Sequence, residues 1–211
     1  SGKRPFGFIL VGGEKMEFVI SCQGDALNKF WAIRVDYFNR ETHWTDFEEL
    51  VRRPVKDCFE ISDQALLSLY GETAGNPYFT KLILMHLFDM MVARRDSYVT
   101  RREIEEATNR TLRNVKSNAF QHFWEDGIIE VGSKAEEKSI NRRKLLLALA
   151  EVIRQRVPPT REYIKQAATK WGLSEYFVET ELREFERRQV LAVKDDDIYR
   201  CKVRIFENWL V

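Results

Sequence analysis

Gly75-Asn76-Pro77, at the head of an apolar stretch running to about Arg94, offers the most direct chemistry in the chain. Asn is a strong helix N-cap, and Pro suits the first helical position, where its missing N–H would be unpaired anyway. Such a start exposes unpaired N–H groups and partial positive charge, which attract an anion, and the Pro ring adds a flat apolar face for a base. The same three residues also make an ordinary capped helix start, and residue chemistry alone leaves both readings open. Gly12-Gly13-Glu14, after the apolar run Phe8–Val11, is the second candidate. It reads either as a turn lining an anion site or as a plain strand-ending turn. Glu14 could orient a water, but no partner base or metal carboxylate accompanies it, so it takes no catalytic role.

Other reactive residue types are scattered. No G-x-x-x-x-G-K-[ST] phosphate loop occurs: Ser1-Gly2-Lys3 is followed by Arg4, and no strand precedes it. His43, His86 and His122 lie far apart, and His86, inside the apolar stretch, reads as a core residue. Asp195-Asp196-Asp197 in a hairpin turn would point in different directions, so a solvated turn is expected and no metal site. Cys22, Cys58 and Cys201 fit neither a disulfide framework nor a metal knuckle, and a reducing cytoplasm is the expected setting.

Composition narrows the class further. The chain has 211 residues, 44% of them hydrophobic and 12% aromatic, enough for a real core. Lys and Arg number 34 against 33 Asp and Glu, so any contact with nucleic acid or membrane must come from a local patch. The longest apolar stretch, 78–93, contains Lys81, His86 and Asp89 and is too short to span a bilayer. The chain opens on Ser1-Gly2 without Met, so it is expected to be a piece of a longer protein.

The elements that must position these residues can be read from periodicity and caps. Phe8–Val11 and Trp31–Phe38 read as strands, too few for an independent sheet. Thr45-Asp46-Phe47-Glu48 reads as a capping box opening a helix that Pro54 limits. Ser62 caps a second helix with Ala65, Leu66, Leu69 and Tyr70 on one face, ended by Gly71 and Gly75. Asn76 caps a third, apolar nearly all round and expected to be the buried centre of a bundle. Thr100-Arg101-Arg102-Glu103 opens a fourth. A fifth carries Phe120, Phe123 and Trp124, expected to pack between this helical part and the C-terminal one, and stops at Gly127. Residues 132–140 are polar and small and read as a linker. Helices over 142–156, 160–171 and 174–188 come after it. Strands over 190–194 and 198–205 close the chain in the order of a winged helix.

In a winged helix the third helix often approaches duplex phosphates. Here that element carries Glu175, Glu179, Glu181, Glu184 and Glu186 against Arg183, Arg187 and Arg188, and the wing tip is acidic. DNA is therefore an unfavoured partner. The first helix is more basic, with Arg142, Arg143, Lys144, Arg154 and Arg156, and reads as a solvated face or a patch for an anionic surface.

Residues 45–93, with Gly75-Asn76-Pro77-Tyr78-Phe79, resemble the helical lid of STAND-type P-loop ATPases, relatives of the AAA+ group. Residues 8–14 resemble their sensor-1 strand, and Val203–Leu210 resembles the last strand and short helix of their winged-helix domain. The chain departs from that pattern in two places. Glu14-Lys15 stand where the family usually has an Arg, and the Met-His-Asp motif of the eukaryotic members is missing.

The resemblance implies a mainly α fold with small β. A β-strand remnant of an α/β ATPase core would occupy 1–44, a helical lid bundle 45–131 and a winged-helix domain 139–211. It implies ATP or ADP, with Mg in the parent protein, held between a missing N-terminal P-loop core domain and this lid. Gly75, Asn76, Pro77, Gly13 and Glu14 would lie at the nucleotide. The implied parent is a cytoplasmic ATPase that oligomerises with itself, many prokaryotic members acting in signal transduction and antiviral defence. No catalytic residue and no resident metal are expected in this portion alone.

Overall fold

The computed structural model describes residues 36–194 and 197–211, together with Ile9. The strand expected at Phe8–Val11 (Ile9 apart), the turn at Gly12-Gly13-Glu14, most of the strand over 31–38, and Asp195-Asp196 lie outside the described residues. Asp36-Tyr37-Phe38 belong to no strand. The described part is mainly helical, with two small two-stranded sheets.

Helix α1 (Trp44–Arg52) starts one residue ahead of the expected capping box, with His43 at its cap and no side-chain cap bond. Ring packing draws Trp44 into the helix: its centroid is 5.7 Å from those of both Phe47 and Tyr70. Pro54 then turns the chain through a short 3-10 segment, Arg53–Val55, as its missing N–H requires. Strands β1 (Glu60–Ile61) and β2 (Tyr98–Val99) pair in parallel and clasp the two helices between them.

The first of these, α2 (Asp63–Thr73), is capped by the Ser62 hydroxyl, which accepts from the Ala65 N–H at 3.2 Å. It runs through Gly71 instead of ending there. A single Gly costs a helix only about 1 kcal/mol, and Leu66, Leu69 and Thr73 are buried on either side of it. The break comes at Ala74 and Gly75, both left-handed, with φ of 50° and 75°. A Cβ on Gly75 would stand 2.2 Å from the Phe38 carbonyl oxygen and 2.9 Å from the Tyr70 ring. Gly75→Ala should therefore cost about 1–3 kcal/mol. Urea unfolding reads this as a lowered midpoint, and an unchanged midpoint would contradict the tight approach.

Helix α3 (Pro77–Arg94) has the expected bounds, but it is not buried all round. Phe79, Ile83, Leu87, Met90 and Met91 face the core, whereas Tyr78, Met85, Phe88 and Val92 are exposed. Helices α1, α2 and α4 (Arg101–Asn114) pack against it, and the Phe59 ring packs on Phe88 with centroids 5.9 Å apart. The capping box opening α4 is present: Thr100 Oγ1 accepts from Arg102 N–H, and Glu103 accepts from Thr100 N–H at 2.8 Å.

The expected fifth helix is a 3-10 turn, Ser117–Phe120, followed by the short α5 (His122–Glu125). Beyond Gly132, the stretch expected to be a linker is helical. Residues 133–140 open α6 (Ser133–Arg154), a run of good helix formers anchored by Lys138 at 2.9 Å from Glu130. Helix α7 (Arg161–Lys170) and helix α8 (Glu175–Arg187) come after it, the latter capped by Ser174.

The antiparallel hairpin β3 (Leu191–Lys194) and β4 (Ile198–Cys201) comes next. The last strand is shorter than expected, because Arg204 already begins α9 (Arg204–Leu210). Glu207 holds that reversal, accepting from the Cys201 N–H at 3.0 Å and from Arg200 at 2.9 Å. An aromatic seam then joins α9 to α5 and α3. Phe206 lies 4.3 Å from Phe123 and 5.3 Å from Phe120, and Phe120 stacks on Phe79 at 5.2 Å. The expected packing role of Phe120, Phe123 and Trp124 is borne out.

Candidate functional site

At the start of α3, Asn76 turns its own side chain over the helix end. Its Oδ1 accepts from the Tyr78 N–H at 2.9 Å and the Phe79 N–H at 3.2 Å, and Pro77 has no N–H to offer. The Asn76 carbonyl accepts from Thr80 N–H at 3.0 Å and from its hydroxyl at 2.7 Å. The unpaired N–H groups expected here are thus already occupied. What the helix start presents is its field, the half-buried Pro77 ring and the exposed Tyr78. Of the candidate residues, Gly75, Asn76 and Pro77 meet at one point, while Gly13 and Glu14 lie outside the described residues.

Several side chains from distant parts of the sequence converge on Asn76. The Tyr37 phenol hydrogen-bonds its side chain, and burial raises the phenol's pKa. Lys202, just past β4, places Nζ 5.2 Å from the centre of the Tyr37 ring and donates to Gln189. Burial holds the Lys202 ammonium below its usual pKa range, and Asp36 opposes that shift. Arg188, at the end of α8, donates to the carbonyls of His122 and Phe123 at 3.1 and 3.2 Å. His122 stacks on Phe79 with centroids 6.1 Å apart.

The result is a helix start ringed by Lys202, Arg188 and His122, with Asp36 acting on Lys202, Asp126 on His122 and Glu184 on Arg188. Sequence reasoning missed Tyr37, Arg188 and Lys202 as members of this cluster. No spacing signals them, because they are far apart in sequence and meet only through the contacts of Arg188 with α5 and of Lys202 with Tyr37.

Burial lowers the His122 pKa below its ordinary value of about 6.5, Asp126 pulling the other way and Arg188 adding to the drop. The folded ring stays neutral where the unfolded one already takes up a proton. Stability is therefore complete above about pH 6.5 and falls as the pH drops from there toward the depressed folded value. Urea unfolding of wild type and His122→Gln between about pH 7.5 and 5.5 should show a steeper loss for wild type. Parallel curves would contradict the neutral, half-buried ring.

The basic face expected on α6 is dispersed. Arg142 is 1% exposed, with Nε 2.5 Å from Glu181 Oε2 and Nη1 2.8 Å from the Asp126 carbonyl oxygen, and its guanidinium lies over the Phe185 ring. Arg143 lies over Trp124. On α8, Glu179 is held by Lys165 and, at 3.6 Å, by Arg161. Glu175, Glu179, Glu184 and Glu186 still outnumber Arg183 and Arg187 on that helix, so its surface remains unfavourable to nucleic acid phosphates.

An open groove of about 610 Å³ lies beside α1, but its carboxylates Glu48 and Asp63 are both paired with Arg52. Among the described residues no cluster of His, Cys, Asp and Glu could hold a metal ion, and no helix is long and apolar enough to cross a membrane. No family model, curated protein or solved structure matches this chain.

Proposed function

We propose that this chain is the lid and winged-helix portion of a STAND-like ATPase that closes over ATP or ADP and controls assembly of its parent protein. The observation that carries the reading is the pair of cations, Lys202 and Arg188, gathered with the neutral His122 ring around the Gly75-Asn76-Pro77 helix start. Residues 45–131 supply the lid, and α6, α7, α8 and the β3–β4 hairpin supply the winged helix. The base would lie against Pro77 and Tyr78. The phosphates would extend into the positive field of the helix start and of Lys202 and Arg188. A core domain preceding Ser1 would supply the phosphate loop and the Mg ligands, with Gly13 and Glu14 at its edge. Hydrolysis belongs to that core.

Because the cations Arg188 and Lys202 come from either side of the hairpin, loss or exchange of nucleotide would move the winged helix relative to the lid. That is the lever for self-assembly and signalling in the cytoplasm, with antiviral defence as the setting. The alternatives are a DNA-binding adaptor of an AAA+ type ATPase, against which the acidic surface of α8 weighs, and a protein-interaction scaffold without nucleotide contact. The reading frame upstream of Ser1 tests the proposal. It should encode a G-x-x-x-x-G-K-[ST] loop between a strand and a helix. A frame that begins at this chain, or that encodes an unrelated domain, would overturn it.

A further inference from the structure

Two kinds of contact hold α9 in place. One is the aromatic seam through Phe206. The other is polar, and it is weaker. Glu72, the last residue but one of α2, has a side chain only 16% exposed, and its hydrogen-bonding and ion-pair partners both come from α9. Arg204 Nε stands 3.6 Å from one carboxylate oxygen, and the Asn208 amide donates to the other at 3.3 Å. Both contacts are long, and Arg204 is itself 66% exposed, so water screens much of its charge. The other charges that bear on Glu72 are carboxylates, Glu105 on α4 and Glu207 on α9. Arg101 partners the first at 2.7 Å and Arg200 the second at 2.9 Å. Burial raises the Glu72 pKa above its ordinary value, Arg204 opposes the shift, and Glu105 and Glu207 add to it.

We infer that Glu72 is a proton-sensitive latch, holding α9 against α2 more tightly when protonated than when charged. The carboxylate is largely cut off from water, and the one cation near it is too well solvated to offset that loss. Protonation removes the repulsion from Glu105 and Glu207 and still leaves an oxygen to accept from Asn208. Because folding raises this pKa, the added stability is complete below the ordinary value of 4.5 and is lost as the pH rises through the raised one. The response is opposite in sign to that of His122. Helix α9 also packs on α4 and α6, so the latch joins the helices that open the described chain to those that close it. It acts independently of the nucleotide reading.

Amide exchange of the full 211-residue chain tests this, read as protection over 204–210 after correction for intrinsic rates. Glu72→Gln keeps the volume without the charge and stands in for the protonated latch. At about pH 7.5 wild type should be about threefold less protected than Glu72→Gln, and the two should converge as the pH falls toward about 5. Arg204→Ala removes an exposed cation and should leave the fold intact by circular dichroism. Its deficit at about pH 7.5 should exceed that of wild type and should also close in acid. His122 is present in all three proteins, so its contribution cancels in the ratios. A wild-type ratio that stays constant across the range would overturn the inference. So would a Glu72→Gln chain less protected than wild type at neutral pH, or an Arg204→Ala chain whose deficit does not widen.

Discussion

Arg142→Ala should destabilise the protein by about 3–5 kcal/mol, the expected cost of removing one partner from a buried ion pair. Glu181 is 3% exposed, and without the guanidinium it would be left charged in a nearly dry interior. The remaining cation, Lys138, stands 3.7 Å from Glu181 Oε1 and is itself shared with Glu130, so its relief is partial. The Asp126 carbonyl would lose its donor as well. Arg142 joins three elements, α6, α8 and the end of α5, so its loss should loosen them together. The double variant Arg142→Met/Glu181→Leu removes both charges while keeping volume, and should recover most of the loss. Urea midpoints of the three proteins decide the matter. A loss below about 1 kcal/mol for Arg142→Ala would mean that the pair is solvated, not buried.

Phe206→Ala should cost a similar amount, about 3–5 kcal/mol, by leaving a cavity in the aromatic seam. Phe206 has no exposed surface. It contacts Phe123, Phe120, Trp124 and Trp209, with centroids between 4.3 and 6.5 Å. The side chain is the main apolar anchor of α9 against α5, so truncation should free both ends of the seam at once. Amide exchange should rise together over 204–210 and 120–125, and near-ultraviolet circular dichroism from Trp124 and Trp209 should fade. Tyr176, 82% exposed on α8, is the control, and its Ala variant should stay within about 0.5 kcal/mol of wild type. If exchange rose over α9 alone, α9 and α5 would be independent units.

The helix starts at Ser62, Asn76 and Thr100 were legible because a cap is a local signal: one side chain, three residues, one backbone geometry. The apolar period of α2 was legible for the same reason. What failed was whatever depended on distant partners. Thr45 read as a cap, but Trp44 is recruited into the helix by the Phe47 and Tyr70 rings. Residues 133–140 read as a linker because they are polar, yet Glu130 and Glu181 give Lys138 partners that favour a helix.

The outer face of α3 looked like core because composition cannot say which side a neighbour will cover. Charge misled in the same way. Arg142 and Glu181 were counted on two opposing surfaces although they neutralise one another inside. At the site itself, Asn76 and Pro77 could be found from the sequence. Lys202 and Arg188 could not, since they come from the two sides of the hairpin and meet this helix start only in the folded chain.

The central claim is that a nucleotide lies where the Asn76 helix start meets Lys202 and Arg188. Photolabelling the chain with azido-ATP at millimolar concentration, with peptide mapping of the product, tests it most directly, because covalent capture records even weak occupancy. Label is expected on the peptide carrying Pro77 and Tyr78 and on the one carrying Lys202. Excess ATP or ADP should suppress both, and Lys202→Met should reduce both. Label scattered over the surface and indifferent to competitor, or concentrated on a different part of the fold, would contradict it.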